Sequence, residues 1–208
     1  MVRAVIFDMD GVLADTEWFY RARRARFLEQ HGLSEDGFDF TGSNEKAIWE
    51  ALVPNDPVWR QELLLAYRAY RREHPAPYRE LADPTIKVLL QILKQQGVRV
   101  GIASSSDQEA IKTLVRAAEV EDLVDCIVSG EECSAHKPDP AIYLWAMEQL
   151  GVTAEEAIAV EDSTAGIASA KAAGLRVCAL LPRHGEQIDQ SAATVRIARL
   201  TDVLKYLE

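Results

Sequence analysis

Five short apolar runs recur along the chain, at Val2–Phe7, Val98–Ala103, Leu123–Val128, Ala157–Val160 and Leu175–Leu181. They are short, prominent in Val and Ile, and bounded by Gly or Asp. That is the pattern of strands buried on both faces of a parallel sheet. Between them the apolar positions shift to a helical period. Ile86, Leu89, Leu90 and Leu93 share one face of a segment that Asp83 caps, Pro84 opens and Gly97 stops. Ile111, Leu114, Val115 and Ala118 repeat this spacing. So do Ile142, Trp145, Ala146 and Leu150 between Asp139-Pro140 and Gly151, and Leu200, Val203, Leu204 and Leu207 in a final helix. Strand alternating with helix predicts an α/β fold with a doubly wound, Rossmann-like parallel sheet.

Residues 15–82 break the alternation. This interval is rich in Arg, Glu and aromatics and predicts three or four helices, with candidates at Thr16–His31, Asn44–Leu52 and Val58–Glu73. The proline-containing stretches around Pro54 to Pro57 and Pro75 to Pro77 mark turns. The expected organisation is a core of residues 1–14 and 83–208 with a helical insert, 15–82, after the first strand. A chain of 208 residues fits one domain with such an insert.

Composition narrows the partners. With 48% hydrophobic and 27% charged residues the chain is an ordinary globular protein. Its net charge of −10 argues against nucleic acid and anionic membranes as main partners. Cys126, Cys133 and Cys178 are scattered without CxxC spacing, so neither a disulfide framework nor a thiolate zinc site is expected; Cys126 and Cys178 read as small core residues. Neither a signal-peptide pattern nor an apolar stretch of about 20 residues is visible, and a cytoplasmic location is expected.

In doubly wound sheets ligands bind beyond the carboxyl ends of the strands. The first run ends in Asp8-Met9-Asp10-Gly11, the second in Ser104-Ser105-Ser106-Asp107, and the fourth in Glu161-Asp162-Ser163. The loop after the third reaches Lys137-Pro138. Crowded carboxylates call for a hard divalent cation, and Mg²⁺ favours one or two of them together with phosphate oxygens. Asp8 and Asp10, two apart at a strand end, can divide the work of nucleophile and of proton donor and acceptor. Ser104 before a helix offers a phosphate seat, which Ser105 extends, and Lys137 supplies a positive charge. Asp107 and Ser163 read as helix caps.

Together these residues resemble the four motifs of the haloacid dehalogenase-like superfamily, and most resemble its sugar phosphatases and β-phosphoglucomutases with a small helical cap. The resemblance runs from residue 2 to about 181. It implies that Asp8 attacks phosphorus, that Asp10 protonates the leaving alcohol and then activates water, and that Ser104 and Lys137 hold the phosphoryl group. It also implies Mg²⁺ bound by Asp8, the Asp10 carbonyl and Asp162, with Glu161 in or near that shell. The second aspartate, Asp10, speaks for phosphate chemistry over dehalogenation.

The phosphomutases of the family carry a His in the first cap helix, an Arg in the cap loop and a Lys-Asn pair after the Ser motif. The matching positions here are Tyr20, Glu45 and Asp107-Gln108, and Glu45 would repel a second phosphate. The resemblance therefore favours a Mg²⁺-dependent phosphatase acting on a small phosphate monoester, a sugar phosphate first, with a phosphomutase as the alternative. A phosphate-responsive binding module is disfavoured, since it needs no proton donor. Thr16, Tyr20, Ser43, Asn44 and Glu45 are the candidates for contacting substrate. Trp18 and Trp49 read as cap core, and Arg21, Arg23, Arg24 and Arg26 as a solvated helix face. A self-contained capped site leads us to expect a monomer.

Overall fold

The computed structural model describes residues 1–38, 40 and 45–208. Strands β1 (Ala4–Phe7), β2 (Arg99–Ser104), β3 (Cys126–Ser129), β4 (Ala157–Glu161), β5 (Arg176–Leu180) and β6 (Val195–Ile197) form one parallel sheet in the order β3-β2-β1-β4-β5-β6. This is the doubly wound, Rossmann-like arrangement. β1 and β4 are buried at every position because both faces are covered. Helices α5 (Ile86–Gln95) and α6 (Gln108–Ala117) pack with Val5, Phe7, Val100 and Ile102 on one side. Helices α7 (Ala141–Leu150) and α8 (Thr164–Ala172) pack with Ala4, Ile6, Ala103 and Ala159 on the other. Each fully buried Leu or Ile in these layers contributes roughly 1.5–3 kcal/mol.

Several elements differ from the sequence expectation. The helix expected from Asp83-Pro84 begins at Ile86, because the Asp83 carboxylate accepts from the Thr85 backbone N–H and hydroxyl and holds a turn ahead of it. The expected final helix is a 3₁₀ run, Leu200–Tyr206, in which Asp202 folds back onto the Arg199 N–H and Lys205 Nζ. β6 was not expected; only Ile197 of its three residues is buried, too little to make an apolar run. Cys178 is buried and Cys126 half-buried, and burial pushes both thiols up to about 11. Among the described residues no helix is long and apolar enough to cross a membrane.

Between β1 and α5 lie α1 (Glu17–Gln30), α2 (Glu45–Leu52), α3 (Pro57–Glu73) and α4 (Tyr78–Leu81). Asp56 caps α3 by accepting from Val58 and Trp59 N–H, with Pro57 in its first turn. The first three of these helices enclose their own small core of Phe27, Leu28, Trp49, Val53, Leu63 and Tyr67. The two connections run side by side: Ala14 bridges Ala82, Asp15 N–H donates to Leu81 O, and Asp83 N–H donates to Leu13 O. Trp49 is core, as expected, whereas Trp18 is 48% exposed.

The arginines of α1 depart from a solvated face. Arg21 and Arg26 are exposed, but Arg23 and Arg24 are buried. Arg24 Nε reaches Glu35 at 2.5 Å, and the Arg23 guanidinium lies over the rings of Phe19, Tyr20 and Tyr67. Aromatic faces and a buried carboxylate let two charged side chains take interior positions that spacing alone assigns to solvent.

Candidate active site

The strand order reverses between β1 and β4, and the functional side chains gather there. Asp8 follows β1, and its N–H donates to Val160 O, setting it level with the end of β4. Carboxylate oxygens of Asp8, Glu161 and Asp162 lie within 4.8 Å of one another, and all three residues are buried. Lys137, from the loop after β3, places Nζ 2.6 Å from Asp8 Oδ1, 2.6 Å from Glu161 Oε1 and 3.2 Å from Ala103 O. Burial opposes the Lys137 charge, but Asp8 and Glu161 more than reverse this and hold its pKa above the ordinary amine value. Burial pushes the Asp8 carboxyl well up, with Lys137 working against it and Glu161 and Asp10 adding to it. Burial, then Glu161 and Asp8, push Asp162 up likewise.

Three buried carboxylates share one ammonium, so the cluster is under-neutralised. Its donors are all oxygens at mutual distances one ion can span, which fits a hard divalent cation such as Mg²⁺. The backbone makes room for this arrangement. At Gly11, where φ is +77°, a Cβ would stand 1.9 Å from Asp162 Oδ2; at Gly166, in α8, it would stand 2.0 Å from Glu161 Oε1.

Glu161 is held from four sides. Oε1 accepts from Lys137 and from the Tyr143 hydroxyl at 2.7 Å, and Oε2 accepts from Asp162 N–H and the Ser163 hydroxyl. Ser163 also caps α8, so it does more than cap. Tyr143 is fully buried, and Lys137 Nζ sits 5.3 Å from its ring centroid. We expect Tyr143→Phe to lower stability by about 1.5–3 kcal/mol, since a buried carboxylate loses one donor. Urea denaturation checks this, and a variant of unchanged stability would contradict it.

The Asp10 carboxylate stands outside that cluster. It accepts from Thr16 Oγ1 at 2.5 Å, Ser106 Oγ at 2.6 Å and Ser104 Oγ at 3.4 Å, and it also engages Tyr20. Burial pushes its pKa up, and the hydrogen bonds from Ser106, Thr16 and Tyr20 hold it down. Thr16, expected among the substrate-facing residues, is fully buried with its hydroxyl committed to Asp10, so it orients that carboxylate. Ser104 is also fully buried, and its Oγ accepts from Ser106 N–H.

A cavity of about 480 Å³ opens over Asp8, Asp10 and Lys137 and runs into the helical insert, where Tyr20, Glu45, Trp49 and Arg71 line it; Ser105 and Ser106 close the sheet side. Ser43 and Asn44 lie outside the described residues. Glu45 does not face the cavity as a bare charge: Arg68 and Arg71 hold it at 2.7 and 2.9 Å. The other arm of Arg71 reaches Asp107 at 2.7 Å, and Asp107 also caps α6, so this residue ties insert to core.

Motifs at the strand ends revealed Asp8, Asp10, Ser104, Lys137, Glu161 and Asp162. Tyr143, Ser106, Gly11 and Gly166 escaped sequence reasoning. Gly11 and Ser106 carried a signal, Gly11 directly after the second aspartate and Ser106 within the serine run that ends the second strand.

A buried aspartate at the switch point, a lysine beside it and a second aspartate lining the same cavity form one polar site beyond the carboxyl ends of the strands, where α/β folds of this kind bind ligands. The chain belongs to the haloacid dehalogenase-like hydrolases, whose family model matches residues 5–180. It is 32% identical over 183 residues to a phosphorylated carbohydrates phosphatase of Thermotoga maritima, covering 84% of this chain and 82% of that one. Its fold matches a β-phosphoglucomutase from Clostridium difficile with a TM-score of 0.83 at 20% identity, covering 100% of this chain and 96% of the other. It also matches CbbY from Rhodobacter sphaeroides, solved in complex with phosphate, with a TM-score of 0.79 at 25% identity, covering 98% and 96%.

Proposed function

We propose that the protein is a phosphatase that hydrolyses a small phosphate monoester, a sugar phosphate first among them, through a phosphorylated Asp8. The observation that carries this reading is the division of the two aspartates. Asp8 is paired with Lys137, whereas Asp10, two residues on, is held by hydroxyls on the other side. In the first half-reaction an Asp8 carboxylate oxygen bonds to phosphorus as the bond to the alcohol oxygen breaks, and Asp10 gives that oxygen its proton. In the second, Asp10 takes a proton from water, whose oxygen bonds to phosphorus; the bond to Asp8 breaks, releasing inorganic phosphate. Lys137 offsets charge on the phosphoryl oxygens, and Ser104 and Ser105 seat them.

Asp8, Asp162 and the Asp10 carbonyl are the residues we assign to Mg²⁺, with Glu161 orienting Lys137 and Asp162 from behind. Bound there, Mg²⁺ supplies positive charge against the phosphoryl oxygens. We read residues 1–14 and 83–208 as the catalytic core and 15–82 as the cap that excludes water. The reading carries with it a monomeric, cytoplasmic enzyme whose site is complete in one chain. The phosphomutase alternative loses part of its opposing argument, because Arg68 and Arg71 neutralise Glu45.

Phosphate release from a panel of sugar phosphates and p-nitrophenyl phosphate tests the reading. Wild type is expected to release phosphate with Mg²⁺ and to lose activity in EDTA, and Asp8→Asn to fall by at least about 10³-fold. Turnover that survives in Asp8→Asn, or in EDTA, contradicts it. A glucose 1-phosphate to glucose 6-phosphate conversion primed by the bisphosphate favours the mutase.

A further inference from the structure

Four buried side-chain polar atoms lack a hydrogen-bond partner among the described residues, and three of their residues line the large cavity: Arg23 at Nε, Trp49 at Nε1 and His136 at Nδ1. The first two are donors in the helical insert. Most cations around the cavity are accounted for. Lys137 has Asp8 and Glu161, Arg24 has Glu35, Arg68 has Glu45, and Arg71 has Glu45 and Asp107, all within 2.9 Å; Lys46 is solvent-exposed. Arg23 differs. It is 8% exposed, and among the described residues its one hydrogen bond goes to His74 O at 3.0 Å and no ion pair includes it.

A buried guanidinium with no counter-charge is costly, and the aromatic faces of Phe19, Tyr20 and Tyr67 offset only part of that cost. Trp49 packs on the same Tyr67, with ring centroids 5.3 Å apart, so both side chains pack against one residue of the cavity wall. A guanidinium and an indole N–H donate and never accept. The group that would neutralise Arg23 from the cavity side is an acceptor carrying negative charge. Its place is also defined. Arg23 lies 5.0 Å from the Tyr20 ring centroid, and Tyr20 engages Asp10, the residue assigned to the leaving oxygen.

We propose that Arg23 and Trp49 form a subsite for a second anionic group on the leaving part of the substrate, so that the enzyme prefers phosphate monoesters that also carry a carboxylate or a second phosphate. This rests on the phosphatase reading above and narrows its substrate class. Matched series that differ only at the far end test it: sorbitol 6-phosphate, 6-phosphogluconate and sorbitol 1,6-bisphosphate at six carbons, and glycerol 3-phosphate, 3-phosphoglycerate and glycerol 1,3-bisphosphate at three.

In at least one series the wild type is expected to favour an anion-terminated member by about 10- to 100-fold in kcat/KM, mostly through KM, as for loss of a charge-assisted hydrogen bond. The carboxylate and bisphosphate arms tell which anion the subsite takes. Arg23→Gln should bring that ratio close to one, Arg23→Lys should restore part of it, and Trp49→Phe should reduce it by a smaller factor. A wild type that prefers the neutral ends in both series overturns the subsite, as does a ratio unchanged in Arg23→Gln. Those results leave the phosphatase reading standing. Absence of phosphate release from every compound instead overturns the phosphatase reading. The subsite is then still tested by thermal shift of Asp8→Asn, where stronger protection by anion-terminated members supports it and equal protection by all overturns it.

Discussion

Lys137→Met is expected to abolish phosphate release and to lower folding stability by about 3–5 kcal/mol. The ammonium is 2.6 Å from both Asp8 and Glu161, and its side chain is only 3% exposed. Methionine keeps the stem and removes the charge. Two buried carboxylates then face each other with no cation between them, and the Ala103 carbonyl loses its donor from Lys137. Exposed ion pairs in the same chain, such as Lys87–Glu119, are not comparable, because solvent screens them. Urea denaturation and phosphate release on one preparation check both halves. A variant that keeps wild-type stability contradicts the view of Lys137 as the neutralising group of the cluster.

Gly11→Ala is expected to cost about 1–3 kcal/mol of stability and to weaken divalent-cation binding by at least about tenfold. Two effects act together. The residue sits at φ +77°, where L side chains are strained, and its new Cβ would stand 1.9 Å from Asp162 Oδ2 and 2.6 Å from Asp162 Cγ. The short Asp162 side chain is buried and cannot move aside while staying in reach of Asp8 and Glu161. Titration with Mn²⁺, followed by its paramagnetic signal, reads the affinity without relying on turnover. Unchanged affinity in Gly11→Ala would mean that the Asp162 position is not what the cluster requires.

What the sequence disclosed follows from where the information lies. Strands buried on both faces must be apolar throughout, so β1, β2, β4 and β5 stand out as runs, and the residues directly after them fall at the site by topology alone. Asp8, Asp10, Ser104, Glu161 and Asp162 were legible for that reason. Tyr143 was not, because it shares the apolar face of α7 with Ile142 and Ala146, and a tyrosine there reads as core. Arg23 and Arg24 misled because helical spacing says nothing about which aromatic or acidic groups another helix brings against them. Glu45 looked like a bare charge until Arg68 and Arg71, 23 and 26 residues away, came to lie on it. β6, with one buried residue, had no pattern to find.

The proposed mechanism requires that Asp8 becomes covalently phosphorylated during turnover. Rapid acid quench of the enzyme during steady-state hydrolysis, followed by peptide mass spectrometry, tests it most directly. The expected result is one added phosphoryl group on the peptide containing Asp8, labile to hydroxylamine and absent from Asp8→Asn. A phosphoryl group found on another residue, or no adduct at any quench time while phosphate is released in a single step, would contradict it.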